Sequence, residues 1–263
     1  MQKFTIYGDP IIHSKSPQMH NAGFNYIGFE GNYSKTHLIN GDLVKENFIQ
    51  NNIKGANITV PHKENAFKLA DEVIGLANDI GAVNTYINEN GTVKAYNTDA
   101  PGFMKAIKEF EDIKSVIVLG AGGTAKAICV ALKEKGIKTT VINRSSNRLD
   151  FFKELDCITY DWNNFELDNY DLVVNSTSAG LKDESYPTPL NILEDILNNS
   201  KYAFDCIYGK MTPFLIKAKE SALKYKDGED MLLYQGVIAF ELFTHSKADD
   251  SLVEAMRKGL NKE

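Results

Sequence analysis

The residues best suited to act together as a chemical site lie mid-chain, where Ser115-Val116-Ile117-Val118-Leu119 runs into Gly120-Ala121-Gly122-Gly123-Thr124-Ala125 and a segment of helical period. Gly120, Gly122 and Ala125 fit G-x-G-x-x-G/A in the strand-turn-helix context that binds a dinucleotide. The first glycine permits a tight turn, the second lets backbone approach a pyrophosphate, and the small third residue lets helix pack on strand. Gly123 belongs to the same loop, and the helix that follows would turn its positive end toward the phosphates. The bland alternative is an ordinary βα turn, and the strand and helix on either side argue against it.

The next strand, Thr139-Thr140-Val141-Ile142, bears on which dinucleotide is bound. Sites for NAD place an Asp or Glu about 20 residues after the glycines, against the ribose 2'-hydroxyl. Here that corner reads Asn143-Arg144-Ser145-Ser146-Asn147-Arg148 and holds no carboxylate. Arg144 and Arg148, with the Ser145 hydroxyl, suit a 2'-phosphate through charge-assisted hydrogen bonds, so NADP is the expected cofactor. The same hexapeptide also reads as surface arginines opening a helix after an Asn/Ser cap.

These loops must be positioned by a larger framework. Strand-like apolar patches recur at Phe4–Tyr7, Ile53–Val60, Val83–Ile87, Ser115–Leu119, Thr139–Ile142, Asp171–Asn175 and Tyr202–Cys206. Between them, helical periodicity predicts Pro17–Tyr26, Asp42–Asn51, Ala100–Phe110, Ala125–Lys135, Pro213–Lys224 and Leu232–Phe243. This alternation predicts an α/β protein with largely parallel sheets. A dinucleotide domain starting near residue 101 leaves about a hundred residues in front, with strands and helices of their own, as a separate substrate domain. By pattern alone, the helices from Met231 onward fit either domain.

Composition excludes several classes of function. The 263 residues are 43% hydrophobic and 24% charged, the balance of a globular protein with a substantial core. With 29 Lys and Arg against 35 Asp and Glu, the formal net charge of -6 offers nothing to nucleic acid or an anionic membrane. No apolar run approaches the roughly 18 residues of a membrane span, so a cytoplasmic location is expected. Cys129, Cys157 and Cys206 form no C-x-x-C pair, which predicts neither a disulfide framework nor a zinc site, and each reads as a small buried apolar residue. The histidines contain no metal-binding spacing; His13 and His62 read as hydrogen-bonded loop residues, and no metal is expected.

Further segments, in order, carry a family resemblance. They are His13-Ser14-Lys15-Ser16-Pro17, Gly55-Ala56-Asn57-Ile58-Thr59-Val60-Pro61-His62-Lys63, Gly81-Ala82-Val83-Asn84-Thr85 and Asn97-Thr98-Asp99-Ala100-Pro101-Gly102. Downstream stand Asn175-Ser176-Thr177-Ser178-Ala179-Gly180, Tyr208 with Thr212-Pro213-Phe214-Leu215, and Met231-Leu232-Leu233-Tyr234-Gln235-Gly236. Together with the glycine loop, this set resembles the shikimate dehydrogenase family over essentially the whole chain. The resemblance implies an N-terminal substrate-binding α/β domain of residues 1–100 plus 230–263, a Rossmann-like NADP-binding domain of 101–229, and an active-site cleft between them. It implies reduction of 3-dehydroshikimate, a small-molecule substrate, by a monomer or homodimer. The loop Gly209-Lys210-Met211 varies among relatives, and Ser145 stands where the family often has Thr.

The resemblance also assigns roles that single residues would not carry. Lys63 would donate a proton as charge develops on the carbonyl oxygen, with Asp99 orienting it. Alone, they would read as a solvated helix-start lysine and a helix cap or first-turn residue. Ser14 and Ser16 would bind the substrate carboxylate, though Ser16 before Pro17 is also a good N-cap. Asn57, Thr59, Asn84 and Gln235 would meet ring hydroxyls, and Tyr208 would contact substrate. Met231 would pack near the nicotinamide, and Thr177 with Ser178 would lie at a strand end where nucleotides bind. A quinate/shikimate dehydrogenase is the nearest alternative, disfavoured by Arg144 without a neighbouring carboxylate and by the Ser14/Ser16 pair. A methylenetetrahydrofolate dehydrogenase does not explain the ordered motifs, and a non-catalytic nucleotide sensor would have lost Lys63 and Asp99.

Overall fold

The computed structural model describes residues 1–262. The chain divides into two compact units, one of Met1–Gly102 with the residues from Leu233 onward, the other of Phe103–Leu232. Within the first, β1 (Gln2–Gly8), α1 (Ser16–Tyr26), β2 (Gly31–His37), α2 (Val44–Gln50), β3 (Ile53–Ile58) and α3 (Lys63–Leu69) come first. Next are β4 (Glu72–Val73), α4 (Ala77–Ile80), β5 (Thr85–Glu89), β6 (Thr92–Tyr96) and α5 (Asp99–Ala106). Strands run in the order β2-β1-β3-β5-β6-β4. The β1 strand pairs in parallel with β2 and β3, whereas β5 is antiparallel to both β3 and β6.

That antiparallel hairpin creates the functional edge of the sheet. Asn90 and Gly91 form its two-residue loop with φ of 53° and 94°, the positive values that a twisted tight hairpin requires. The residue before β5, Asn84, therefore returns beside those that follow β6, Asn97 to Asp99. Asn57, near the carboxyl end of β3, pairs with Thr85, and Thr85 pairs with Tyr96, so three strands deliver polar residues to one place.

The second unit holds β7 (Ser115–Leu119), α6 (Gly123–Glu134), β8 (Lys138–Asn143), α7 (Asp150–Glu154), β9 (Ile158–Asp161) and β10 (Tyr170–Asn175). It continues with α8 (Leu190–Asn198), β11 (Ser200–Asp205), α9 (Pro213–Glu220) and β12 (Lys224–Lys226). Its six strands are all parallel, in the order β12-β11-β10-β7-β8-β9. That is the doubly wound dinucleotide-binding topology, and the strand order reverses between β7 and β10. Apolar residues of β7 and β10 are buried because helices cover the sheet; Ile117, Val173, Leu193, Ile196 and Phe214 belong to one core cluster. In α6, the buried Ala125, Ala127 and Ala131 let the helix lie close to the strands. Helix α10 (Glu229–Thr244) and α11 (Asp250–Leu260) follow, with α11 packed along α1.

Several elements depart from expectation. Helix α5 stops at Ala106, before Phe110, and α9 stops at Glu220 so that Lys224 opens a strand. The 42–51 segment begins with a single 3-10 turn, Gly41–Leu43, before α2. Strands β2, β4, β6, β9 and β12 and helices α4, α7, α8 and α11 have no counterpart in the apolar patches and periodic segments of the sequence. Cys129 is fully buried, but Cys157 and Cys206 are only partly covered. No helix among the described residues is long and apolar enough to cross a membrane.

At the start of β10, Asp171 ties three strands of the second sheet together. Its carboxylate accepts from Lys114 N at 2.8 Å, Ser115 N at 3.0 Å and Lys201 Nζ at 2.6 Å. Burial opposes its charge, but Lys201 and the two backbone donors outweigh burial and hold its pKa at about 2. Because this pKa is depressed below the unfolded value of about 3.9, the carboxylate stabilises the fold above about pH 4 and loses its effect as pH falls toward 2. Asp171→Asn is expected to cost about 2 kcal/mol of unfolding free energy near neutral pH. Denaturant titrations over a pH series should show that difference from the parent protein closing in acid.

Candidate active site

At the edge made by β3, β5 and β6, the sequence places amides and hydroxyls that burial forces to satisfy one another. Asn84 is 2% exposed and has two amide protons and two oxygen lone pairs to match. Its Nδ2 donates to Thr98 Oγ1 at 2.8 Å and to Asp99 Oδ1 at 2.9 Å. Its Oδ1 accepts from Thr98 N at 2.8 Å and from Thr85 Oγ1 at 3.0 Å. Gln235, on α10, brings Oε1 to 3.4 Å from both Asn84 Nδ2 and Thr98 Oγ1. With its own capacity filled, the Asn84 side chain acts chiefly by holding Asp99.

Asp99 is the first residue of α5, and Asn97 Oδ1 accepts from the N–H groups of Asp99 and Ala100 at 3.1 and 3.3 Å. One Asp99 oxygen is taken by Asn84; the other accepts from Lys63 Nζ at 2.5 Å. Lys63 opens α3, and its carbonyl accepts from Val83 N at 3.1 Å, which fixes the helix start to the segment leading into β5. The lysine side chain is 23% exposed and that of Asp99 is 12% exposed. One ammonium N–H faces Asp99, which leaves two for an oxygen arriving from solvent. The neighbouring His62 is buried, its Nε2 at 2.5 Å from Leu38 O, a structural hydrogen bond.

Asn57 joins this network from β3, donating from Nδ2 to Thr85 Oγ1 at 3.1 Å and to Asn84 O at 3.3 Å. Its Oδ1 accepts from Tyr33 Oη at 2.6 Å. Burial holds the Tyr33 phenol well above its usual pKa, so it remains a donor and fixes which way the Asn57 amide points. His20 stacks on Tyr33 with ring centroids 4.3 Å apart, and burial lowers its pKa to about 3, leaving it neutral. Neither residue stands out in the sequence. The only usable signal for Tyr33 was that it is the single large apolar residue in the otherwise polar segment 31–37.

Ser14 and Ser16 form a separate pair, with hydroxyls 3.3 Å apart and the Ser16 N–H donating to Ser14 Oγ at 3.3 Å. Ser16 is not the N-cap: Lys15 holds that position without a side-chain cap hydrogen bond, and Ser16 is the first residue of α1. Pro17 follows within the first turn, where its missing N–H costs nothing. Thr59 is half-buried beyond the end of β3, its N–H donating to Tyr7 O at 2.9 Å.

In the second unit, the loop after β7 lies at the reversal of strand order. Gly120 has φ of 103°, and a Cβ there would meet Thr177 Cγ2 at 2.7 Å, so the fold itself requires glycine. Gly122 differs. Its φ of -90° and ψ of -176° suit any residue, and a Cβ there would meet nothing within 4 Å. The missing side chain therefore keeps space open in front of the α6 N-terminus, whose first turn has no side-chain cap and no acidic residue. An open approach to uncapped N–H groups is what a pyrophosphate needs.

Asn143 Nδ2 donates to Ser145 O at 2.9 Å and shapes the turn after β8. Arg144 and Arg148 are exposed beside it, and no ion pair among the described residues uses either. The Ser145 hydroxyl donates to Asn147 Oδ1 at 2.6 Å, so it would have to rotate to serve a phosphate. Thr177 follows β10, Tyr208 is 37% exposed, and Met231 is buried. Among the described residues no cluster of three or more His, Cys, Asp or Glu could hold a metal.

Comparison with known proteins agrees with this geometry. Residues 6–86 match the shikimate dehydrogenase substrate binding domain, 104–182 match shikimate / quinate 5-dehydrogenase, and 228–258 match the shikimate 5'-dehydrogenase C-terminal domain. The shikimate dehydrogenase (NADP(+)) of Helicobacter hepaticus is 44% identical over 256 residues, covering 97% of this chain and 95% of that protein. The chain belongs to the shikimate dehydrogenase family. Another family member, the shikimate dehydrogenase (NADP(+)) of Helicobacter acinonychis, is 41% identical over 94% of each chain. The shikimate 5-dehydrogenase of Thermus thermophilus, solved in complex with NADP(H) and shikimate, superposes with a TM-score of 0.87 at 33% identity, over 98% of this chain and 100% of that one.

The family's two loop glycines should respond differently to a methyl group. Gly120→Ala is expected to lower stability by about 1 to 3 kcal/mol, from the positive φ and the Thr177 contact. Gly122→Ala should leave the thermal midpoint within a degree or two of the parent while weakening dinucleotide affinity, measured by titration calorimetry.

Proposed function

We propose that this chain catalyses the reversible, NADPH-dependent reduction of 3-dehydroshikimate to shikimate, a step toward chorismate and the aromatic amino acids, in the cytoplasm and as a monomer or homodimer. The reading rests above all on the Lys63–Asp99 pair, held at 2.5 Å inside a saturated amide network. Residues 1–100 and 230–263 bind the substrate, and residues 101–229 bind NADP.

The second unit's residues fit the cofactor: the space at Gly122, the uncapped α6 N-terminus and the exposed Arg144 and Arg148. Gly120, Gly123, Ala125, Asn143, Ser145, Thr177 and Met231 complete that binding set. When bound, NADPH supplies the hydride that a ketone reduction requires. Lys63 does the complementary work at the carbonyl oxygen, where its ammonium stabilises the growing negative charge and gives up a proton. Asp99 accepts from Lys63 and so aims that proton, and Asn84 and Asn97 keep Asp99 from turning away. Ser14 and Ser16 donate to the substrate carboxylate, while Asn57, Thr59, Gln235 and Tyr208 contact its hydroxyls and ring; Asn84, expected from the sequence to join them, serves the site through Asp99 instead. Asn57 Oδ1, held in place by Tyr33 and with one lone pair left, presents a fixed acceptor position, which favours one arrangement of ring hydroxyls over others.

Purified protein should reduce 3-dehydroshikimate with NADPH, and in reverse should oxidise shikimate with NADP far better than quinate with NAD. Comparable kcat/KM for the two reverse pairs would assign it to a broader quinate/shikimate class. Arg144→Ala should raise the KM for NADP about ten- to a hundredfold, the value of a charged hydrogen bond of roughly 1.5 to 3 kcal/mol, and change that for NAD little. Equal losses would make Arg144 structural.

Lys63→Ala should lower kcat by roughly 10² to 10⁴, with shikimate KM nearly unchanged because the serines hold the carboxylate. A folded Lys63→Ala enzyme with near-normal kcat and weakened shikimate binding would remove Lys63 as the proton donor. Asp99→Asn keeps the shape and removes the charge; full activity in that variant would leave Asp99 a capping residue only.

A further inference from the structure

One buried carboxylate in the second unit does no work in the chemistry described so far, yet its partners adjoin two of the segments that the cofactor and substrate readings use there, those bearing Thr177 and Tyr208. Asp205 ends β11 and is fully buried. Its Oδ1 accepts from Asn175 Nδ2 at 3.0 Å and from Ile207 N at 3.0 Å; its Oδ2 accepts from Thr212 Oγ1 at 2.5 Å. Asn175, also fully buried, turns its own Oδ1 to Thr177, accepting from Thr177 N at 3.0 Å and Thr177 Oγ1 at 2.7 Å. Thr177 is the residue whose Cγ2 closes on Gly120. Ile207, in turn, is the residue before Tyr208, and Thr212 caps α9 by accepting from Leu215 N at 3.3 Å.

An asparagine amide can be satisfied in two flipped orientations, and only one of them turns its oxygen to Thr177. The acceptor-only Asp205 selects that one, because it demands the NH2 of Asn175 on its own side. We infer that Asp205 is a positioning residue which, through Asn175 and Ile207, sets both the Thr177 loop against the glycine turn and the segment bearing Tyr208. This rests on the proposed binding of NADP and shikimate by those loops. Burial, reinforced by Asp227, pushes the carboxyl up to about 6 even with three donors around it. A group so costly to ionise is poorly suited to stability alone, for which an apolar residue would serve better.

The test compares Asp205→Ala, which removes the acceptor, with Ile196→Ala, a core change in the same unit that loses stability without touching either loop. Steady-state KM values are measured for NADP and shikimate. Hydrogen exchange is followed in the cofactor-free proteins over residues 175–180 and 206–210. Asp205→Ala should raise KM for NADP about tenfold, raise that for shikimate severalfold, leave kcat within about threefold, and speed exchange in both segments. Unchanged KM and exchange in the folded variant, or the same changes in Ile196→Ala, would overturn the inference. Should Asp205→Ala not fold, Asn175→Ala decides: the inference requires a raised KM for NADP and faster exchange in 175–180, with 206–210 unaffected. Faster exchange in both segments from Asp205→Ala, in a protein whose parent does not bind NADP, would instead uphold the positioning and overturn the cofactor reading.

Discussion

A buried amide must have both protons and both lone pairs met, and at Asn84 that requirement organises the whole functional edge of the first sheet. The segment before β5 could not sit there unless β6 returned beside it, and the hairpin turn at Asn90-Gly91 makes that return possible. The backbone is committed as fully as the side chain: Asn84 N donates to Tyr96 O at 3.0 Å, and Ile58 N donates to Asn84 O at 2.8 Å. One residue therefore locks the end of β3, the start of β5 and the end of β6. Lys63, Asp99, Asn57 and Gln235 take their positions from that lock.

The second unit meets the same demand by a different topology. In an all-parallel sheet, strand ends that adjoin at the reversal of order leave carbonyls and N–H groups without neighbours, and side chains must fill in. Ser176 does so at the end of β7, its N–H and hydroxyl donating to Leu119 O at 3.1 and 2.7 Å. The glycine turn is thereby braced at Leu119, while a Cβ at Gly122 would meet nothing within 4 Å. The two units share a logic: polar side chains saturate the strand ends.

What could be read from the sequence follows from which interactions are local. The glycine turn was legible because its constraint is backbone conformation next to a strongly apolar strand, and the absent carboxylate after β8 was legible as a fact about one short segment. Strand β2 was not, because six of its seven residues are exposed or half-buried and only Tyr33 is fully covered. Strand β6 is not legible despite Asn90-Gly91, since Thr92 and Lys94 leave it no apolar run. Helix α5 was drawn too long because Ile107 and Phe110 continue an apolar period that the chain uses in a turn instead. Within the site, Lys63 and Asp99 take their roles only from the ordered family motifs; the supports Thr85 and Asn97 stand inside those motifs with no role of their own, and Tyr33 stands outside them. Their roles exist only through space, at separations that no periodicity reports.

The way Lys63 is held has a consequence for what the ion pair contributes. Helix α3 has seven residues and no side-chain cap, too short to be stable by itself, so tertiary contacts must hold its start. An ion pair this close to solvent is worth little as stabilisation, of order 1 kcal/mol, and a long lysine chain loses rotamer freedom in making it. Orientation is the better account of its presence. Asp99 is itself immobilised by Asn84 at one oxygen and by Asn97 at its backbone N–H, so the Lys63 ammonium answers to a fixed acceptor. Two N–H directions then point where the Asp99 oxygen does not, and their geometry is set before any substrate arrives. In the proposed reduction, donors preorganised in this way would lower the cost of stabilising an alkoxide, because the protein has already met the orientational cost during folding.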